Sequence, residues 1–434
     1  TVAGPFAPRG VSNDDPVATE GYFIGVDTVN FNTIQIPRVT NPGGVPSISG
    51  NLTPTGIPVT RSPVLQVVEG SNPNRRLDAL DDRLFAATLH KNKITGASTL
   101  WTAHNIGVND QCVATTTSPR NGSRWYEFEN LTTTPSLKQA GTLCDPSSTN
   151  PRGFWVDTVA ESGQGHMAMG TSYAGAADFA GIATAGRLRT DALGTTRAAT
   201  LALVSSTAYN LQAVDGQRWG DYSHTVVHPN DDQTLWTFQE YCDRTNSWGV
   251  QAIQLKAPAP AAPSSVSPAS VCQGLASVDV TVTGVSSAGT KFFDPAPDSG
   301  GPGYLSHITA SVTGGVTVKS VTFTDPTHVT LHLSTAGAAP GPQDNTITNP
   351  DGQSATGNDL LNITTGLGTP AASSDSPICA GQTLHLAAST VSGAAIAWTG
   401  PNGFTSSAQN PTIPSASAAA SRTYRVTGRV GGGQ

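Results

Sequence analysis

The stretch RWGDYSHTVVHPNDDQTLW, from Arg218 to Trp236, places two histidines and three aspartates among alternating apolar residues. It is either a metal or catalytic site, or one hairpin of a repeated antiparallel sheet. YSHTVVH (222–228) and TLWTFQEY (234–241) are short, rich in β-branched and aromatic residues, and separated by Pro, Asn and Asp. Such segments favour two strands joined by a turn. We therefore predict a β-hairpin here.

Similar short segments run through the first 256 residues, separated by clusters of turn-forming residues. Helical periodicity is almost absent, and only RRLDALDDRLF (75–85) is expected to form a turn or two of helix or a solvated loop. Strands are predicted at residues 21–27, 33–39, 84–90, 98–106, 124–130, 154–160, 165–173, 199–206, 222–228, 234–241 and 248–255.

These strands follow a loose repeat. An apolar strand with small residues, a strand containing Trp and a third strand occur in that order in residues 82–130 and again in residues 222–255. Each such unit is a small antiparallel sheet that cannot bury both faces alone, which is typical of β-propeller blades. About four blades are predicted, and the chain opens within the pattern. Residues 1–256 are therefore predicted to form a β-propeller or part of one.

The pattern changes after KAPAPAAPSSVSPAS (256–270), which is predicted to be a linker because its prolines cannot donate ladder hydrogen bonds. SVDVTVTGV (277–285) and HVTLHLSTA (328–336) then alternate strictly, as in half-solvated sandwich sheets. A second break at GLGTPAASSDSP (366–377) precedes a third, small β-sandwich. The fold class is all-β: a propeller followed by two immunoglobulin-like β-sandwiches, with domains 1–256, 257–366 and 367–434.

The composition argues against some classes of function. The net charge is −7, charged residues are 12% of the chain, and there is no run of Lys and Arg, so nucleic acid is not an expected partner. No apolar stretch approaches the ~20 residues of a membrane span, so no membrane insertion is expected. The low Lys content and the Thr/Ser/Asn-rich surface are typical of an extracellular or cell-surface protein. The chain begins without Met, and so is expected to be processed or part of a longer protein.

Five cysteines occur without a CxxC pair, so no zinc knuckle is expected. In an extracellular setting, Cys112 and Cys144 are the preferred disulfide, and Cys242 with Cys272 is the second candidate pair. The odd count leaves Cys379 without an expected partner.

The middle domain resembles the IPT/TIG immunoglobulin-like family in SSVSPASVCQG (264–274), VDVTVTG (278–284) and TNPDGQSA (348–355). That resemblance implies that the Asn-Pro-Asp-Gly turn joins the last two strands, with Gly352 supplying the backbone freedom. The last domain resembles the Ig/PKD-like modules of bacterial surface and adhesion proteins in SPICAGQTLHL, WTGPNGF and SRTYRVTG. There the resemblance implies a core Trp398 and a corner Tyr424.

The first region is similar to secreted bacterial propeller proteins of undefined activity and to sialidase-like propellers. ATEGYFIGVD (18–27), RLDALDDRLFAA (76–87), WTAHNI (101–106) and the Gly-Asp-Tyr and Trp strands of residues 218–242 carry this resemblance. It implies an acidic and aromatic set at the channel mouth that acts on a sugar, with tyrosine as the nucleophile. The chain lacks the S-x-D-x-G-x-x-W box and a clear arginine triad. The candidates are Arg218, Asp221, Tyr222 and Glu240.

Metal sites are the other possibility in the opening stretch. In a strand, His224 and His228 would lie about 13 Å apart at roughly 3.3 Å per residue, too far to share one zinc ion. Asp231 and Asp232 follow Pro and Asn and are expected to form the hairpin turn. Calcium on this loop is the alternative, although no DxDxDG spacing supports it. No other cofactor is expected.

The pattern favours an extracellular or cell-surface structural or adhesive protein without catalytic activity, a subunit of a larger assembly or filament. Its sandwiches would serve as spacers, and its sheet edges could pair with neighbours. The expected partners are other copies of the chain, other surface proteins or glycans. One alternative is a sialidase-like glycoside hydrolase with accessory Ig-like modules. The other is a carbohydrate-binding lectin.

Overall fold

Strands make up nearly all of the regular structure, which confirms the all-β prediction. The computed structural model describes residues 4–15, 17–27, 29–69, 75–117, 120–211, 216–296, 303–366 and 368–430. Within these ranges there is no α-helix, and the helical elements are two 3-10 turns, Pro401–Gly403 and Ala418–Ala420. Accordingly, none of the described segments is a helix suited to crossing a membrane.

The first two sheets come from the first third of the chain. The first sheet has the order β1-β3-β5-β6 with β4 beside β3, and the second sheet has the order β10-β9-β8-β7-β2. All their pairs are antiparallel except β2 with β7. The strands are β1 (Phe6–Gly10), β2 (Ser12–Asn13), β3 (Glu20–Val26), β4 (Ile34–Gln35), β5 (Arg38–Thr40), β6 (Ser47–Ile48), β7 (Ala87–Lys91), β8 (Ser98–Val108), β9 (Arg120–Glu129) and β10 (Ser136–Leu143).

The third and fourth sheets are antiparallel meanders in chain order. The third sheet contains β11 (Gly153–Glu161), β12 (Met167–Gly175), β13 (Asp178–Arg187) and β14 (Thr200–Leu203). The fourth contains β15 (His224–Val227), β16 (Leu235–Arg244) and β17 (Ser247–Leu255), so the hairpin predicted at the opening stretch is confirmed. Strand β11 is buried along its whole length and packs against β7, β8, β9 and β15. It therefore joins the second, third and fourth sheets.

The fourth sheet is covered on one face. Leu235, Thr237 and Gln239 of β16 are buried, and the last two pack against Gly170 of β12. The alternate residues Trp236, Phe238 and Glu240 are half-buried or exposed, and no residue of β17 is buried. Because side chains alternate along a strand, the second face of this sheet is open to solvent.

Residues 75–85 do not form the expected helix or solvated loop. Leu77 is fully buried, and its backbone forms isolated β-bridges with Gln66 on one side and Gln217 on the other. Leu84 and Phe85 are also buried. The helical prediction was wrong because this segment is extended and packed between the sheets, where bridges to distant residues satisfy its backbone.

Residues 262–364 form two four-stranded sheets around one hydrophobic core. One has the order β18-β20-β23-β22 and the other β19-β25-β24-β21, with β19 parallel to β25. The strands are β18 (Ala262–Ser267), β19 (Ser270–Cys272), β20 (Val278–Val285), β21 (Thr309–Val312), β22 (Thr317–Asp325), β23 (His328–Ser334), β24 (Gly341–Thr348) and β25 (Ser354–Thr364).

The second half of the predicted linker belongs to this sandwich, because β18 and β19 lie within it. Pro263 is tolerated in β18 since that strand is at the sheet edge. The first half is fastened to the turn between β24 and β25: Lys256 Nζ donates to the carbonyl of Asp351 at 2.7 Å, and Gln353 Nε2 donates to that of Ala257 at 2.7 Å. That turn contains Gly352 with φ +80, as the Asn-Pro-Asp-Gly prediction requires.

The last sandwich is smaller. Its sheets have the orders β26-β27-β30 and β29-β28-β31. Trp398 is 1% exposed in their shared core, and the hydroxyl of Tyr424 donates to the carbonyl of Ala420 at 3.2 Å, as expected of both residues. The strands are β26 (Ala372–Ser374), β27 (Leu384–Ala388), β28 (Ala394–Thr399), β29 (Thr405–Ser406), β30 (Thr412–Ile413) and β31 (Arg425–Val430).

The structure contains the preferred disulfide, Cys112–Cys144, with Cα atoms 5.9 Å apart. The second candidate pair is not formed, and that prediction was wrong. Cys242 is buried on β16 in a core cluster of the first half, whereas Cys272 is exposed at the end of β19 in the next sandwich. Their spacing in sequence did not reveal that they belong to separate cores. Cys379 is an exposed free thiol.

Candidate functional site

A cleft of about 570 Å³ opens on the bare face of the fourth sheet. It is lined by the loop before β15 and by the outward residues of β16 and β17. All four residues predicted as a sugar-processing set line this one cleft: Arg218, Asp221, Tyr222 and Glu240.

The loop before β15 is anchored by Trp219, which is 2% exposed. Its Nε1 donates to Ser172 Oγ at 3.1 Å, and its ring lies 5.2 Å from that of Tyr209. The next residue, Gly220, has φ +36, and a Cβ there would overlap Oε2 of Glu240. Glycine thus lets the loop lie directly on the Glu240 carboxyl group.

The charged groups of the cleft are unevenly paired. Arg218 Nη2 lies 2.6 Å from Asp221 Oδ1, and its Nη1 lies 3.4 Å from Asp78 Oδ2. Within the described structure, the half-buried carboxyl group of Glu240 has neither a hydrogen-bond donor nor a cationic partner. Burial, and to a smaller extent the negative charge of Asp221, raise the pKa of Glu240 to about 7. Glu240 can therefore hold or release a proton near neutral pH.

Tyr222 lies beside two arginines. Arg83 Nη1 donates to its hydroxyl oxygen at 3.2 Å, and the Arg9 guanidinium lies 4.3 Å from the ring centroid. Hydrogen bonds from Arg9 and Arg83 lower the pKa of the Tyr222 hydroxyl. Arg83 is itself paired with Asp81 at 2.7 Å. Two positive groups therefore lie beside Tyr222, in addition to Arg218 beside Asp221.

Aromatic side chains form much of the cleft's accessible surface. Trp248 is 58% exposed, Tyr222 52% and Phe238 42%. Rings of this size are normally buried, and a cluster of exposed ones beside a few polar groups marks a binding surface. An aromatic face combined with carboxyl groups suits a saccharide, which has an apolar C–H face and a polar hydroxyl rim.

The two calcium candidates, Asp231 and Asp232, do not share a common site. Asp231 accepts hydrogen bonds from the backbone N–H of Gln233 at 2.9 Å and Thr234 at 2.8 Å, so it closes the hairpin turn. Asp232 is directed away from the turn, with Oδ1 2.6 Å from Nε2 of the buried His90. The described residues contain no group of three or more His, Cys, Asp or Glu that could hold a metal ion.

The histidines of the opening stretch have separate surroundings. His224 lines the cleft, and burial lowers its pKa. His228 Nδ1 accepts a hydrogen bond from the backbone N–H of Asn230 at 3.2 Å within the hairpin turn.

Several cleft residues were not predicted. Phe238 and Trp248 are on predicted strands, and Phe238 shares a face with Glu240 two residues later, so strand alternation could have identified it. Arg9 and Arg83, which contact Tyr222 and do not line the cleft, come from distant parts of the chain, and no local pattern indicates their approach to Tyr222.

Comparison with models of known protein families gave no match. Comparison with the curated proteins also gave none.

Proposed function

We propose that this chain is an extracellular adhesive protein that binds glycans in the cleft of the fourth sheet. The observation that carries the proposal is the cluster of three exposed aromatic rings beside the carboxyl groups of Asp221 and Glu240. The sandwiches would act as spacers that hold the cleft away from the surface to which the protein is attached.

The order of the sheets supports this architecture. Apart from the parallel strand β2, the second, third and fourth sheets are successive antiparallel units, and β11 contacts both β7 and β15, an arrangement consistent with propeller blades. In the middle sandwich, the order β18-β20-β23-β22 matches the A-B-E-D sheet of immunoglobulin domains, and β25-β24-β21 matches the sheet formed by G, F and C. We infer a propeller or part of one, an IPT/TIG-like sandwich and a PKD-like sandwich.

A glycan array probed with the full chain tests the proposal. For the best glycan, Phe238→Ala and Trp248→Ala are each expected to weaken binding at least tenfold, or about 1.4 kcal/mol, because each removes an accessible stacking face. Phe23→Ala is the matched control. Phe23 is 40% exposed, close to the 42% of Phe238, but it is on β3 in the first sheet. Absence of any bound glycan, or equal loss in all three variants, would refute the proposal.

A glycoside hydrolase is the second candidate. It is favoured by a Glu240 carboxyl group of pKa about 7 in the same cleft as Asp221, since such enzymes usually use a pair of carboxyl groups and a raised pKa suits the general acid. Incubating the protein with the glycan that it binds on the array distinguishes the two functions. An adhesin returns it intact, whereas a hydrolase cleaves it and loses this activity in Asp221→Asn.

A further inference from the structure

The carboxyl end of the cleft has more acidic than basic groups. Arg218 is shared between Asp221, at 2.6 Å, and Asp78, at 3.4 Å, so one guanidinium faces two aspartates. Glu240 has no cationic partner within the described structure. Arg9 and Arg83 are at the Tyr222 end, and Asp81 already pairs with Arg83. A ligand at the Glu240 end therefore meets unbalanced carboxyl groups.

The aromatic residues at this end of the cleft also favour a cationic ligand. Glu240 is opposite Val250 in the β16–β17 register, and Trp248 lies on the same strand two residues before Val250. Phe238 precedes Glu240 by two residues on the same face of β16. Aromatic faces attract cations, and the attraction grows where water is partly excluded. His224, across from Phe238, adds no competing charge near neutral pH, because burial lowers its pKa.

A primary ammonium group suits both the carboxyl groups and the aromatic rings of the cleft. It has three donors for carboxyl oxygens and one positive charge, and it can lie against a ring face. A sugar hydroxyl also donates to a carboxylate, but it brings no positive charge to Glu240. Burial, and to a smaller extent the charge of Asp221, raise the pKa of Glu240, and within the described structure no cationic side chain is paired with Glu240 to oppose this shift.

We propose that the glycan bound in this cleft carries a free primary amine, as in a 2-amino-2-deoxy sugar, and that Glu240 binds its ammonium group. This inference rests on the proposed function and specifies the ligand class for the same site.

Two tetrasaccharides that differ only at nitrogen test the inference. One is β-1,4-linked glucosamine with free amines, and the other is its fully N-acetylated form, which is neutral. Isothermal titration of the full chain at about pH 7, where Glu240 can release its proton and pair with an ammonium group, is expected to show at least tenfold tighter binding of the amine form. In Glu240→Gln the ratio of the two affinities is expected to fall to about one, because the amide has no negative charge.

Glu129→Gln is the control, since Glu129 is half-buried at the end of β9 on the second sheet. It is expected to leave both affinities unchanged. Equal binding of the two tetramers, or a preference that persists in Glu240→Gln, would overturn the inference while leaving glycan binding intact. Binding of neither tetramer, with other glycans bound on the array, would overturn it as well. Absence of any glycan ligand would instead remove the proposed function.

Discussion

The third and fourth sheets have the same meander order but differ in burial. Every residue of β11 and β12 is buried, whereas β16 alternates between buried and accessible residues and β17 has no buried residue. Small residues fill β12 and β13, which allows neighbouring sheets to approach closely, while large aromatic residues project from β16 and β17. A sheet covered on both faces supports its neighbours, and a sheet with a bare face can bind a ligand.

Two residue pairs make this comparison quantitative. Trp155 of the third sheet is 0% exposed, and Trp248 of the fourth is 58% exposed. Glu161 and Glu240 both have pKa values raised to about 7, yet Glu161 is 3% exposed and accepts hydrogen bonds from Thr99 and Trp101. The same residue types are therefore buried in one sheet and accessible at the cleft in the other.

Trp155→Ala is expected to have the largest effect on stability. It leaves a cavity where β11 meets its neighbours, and large-to-small changes of this kind cost about 3–5 kcal/mol. Trp248→Ala removes an exposed ring and is expected to change stability by less than about 0.5 kcal/mol. Denaturant unfolding measures both. Similar losses in the two variants would show that the faces of the third and fourth sheets do not differ as described.

Glu161→Gln is expected to change how stability depends on pH. Burial, and then the charge of Glu127, raise the pKa of Glu161 to about 7 from the ordinary 4.5. Between these values the folded protein keeps a proton that the unfolded chain has lost, so the free energy of unfolding falls as pH rises through this window. The full change is on the order of 3 kcal/mol. Glutamine can accept the same hydrogen bonds from Thr99 and Trp101 but cannot titrate.

The measurement is the difference in unfolding free energy between the wild-type protein and Glu161→Gln at several pH values. The variant is expected to become more stable relative to the wild-type protein as the pH rises from 4.5 to 7. Above pH 7 the difference in unfolding free energy is expected to be constant. Glu240→Gln is the comparison variant. Its shift is expected in the same direction but smaller, because solvent reaches this half-buried group. A difference that does not vary with pH would contradict the assignment for Glu161.

Most strands with β-branched and aromatic residues could be predicted, whereas β10 and β13 could not. β8, β11 and β16 were all expected from their apolar segments. β10, with the sequence SLKQAGTL, and β13, with DFAGIATAGR, were not, because neither has enough β-branched and aromatic residues to indicate a strand. β13 is a strand because β12 and β14 pair with both of its edges, a tertiary effect.

The part of the candidate site whose residues are close together in sequence was predictable. Residues 218–222 and Glu240 are on one hairpin and its preceding loop, and the resemblance to sialidase-like propellers indicated them. The bare face of the fourth sheet was not predictable, because it depends on which sheets become neighbours. The same holds for Arg9, which is more than 200 residues from Tyr222 in sequence and reaches it only in the fold.

Gly170→Ala tests the contact between the third and fourth sheets and is expected to cost less stability than Trp155→Ala, about 1–3 kcal/mol. A Cβ at Gly170 would overlap Thr237 Oγ1 and lie 2.6 Å from Gln239 Nε2. Thr237 cannot move freely, because its Oγ1 accepts hydrogen bonds from Thr225 Oγ1 at 3.0 Å and Gln239 Nε2 at 2.9 Å. The added methyl group must therefore push the sheets apart or break these bonds.

Gly249→Ala on β17 is the matched control for Gly170→Ala. A Cβ at Gly249 would meet no atom closer than Asp243 Cβ at 3.2 Å, so a local shift of a few tenths of an ångström accommodates it. Thermal unfolding of the two variants is expected to show a clear loss for Gly170→Ala and little for Gly249→Ala. If Gly170→Ala were neutral, the buried face of β16 would not pack against β12 as closely as described. The small residues of β12 would then not explain why one face of the fourth sheet is covered.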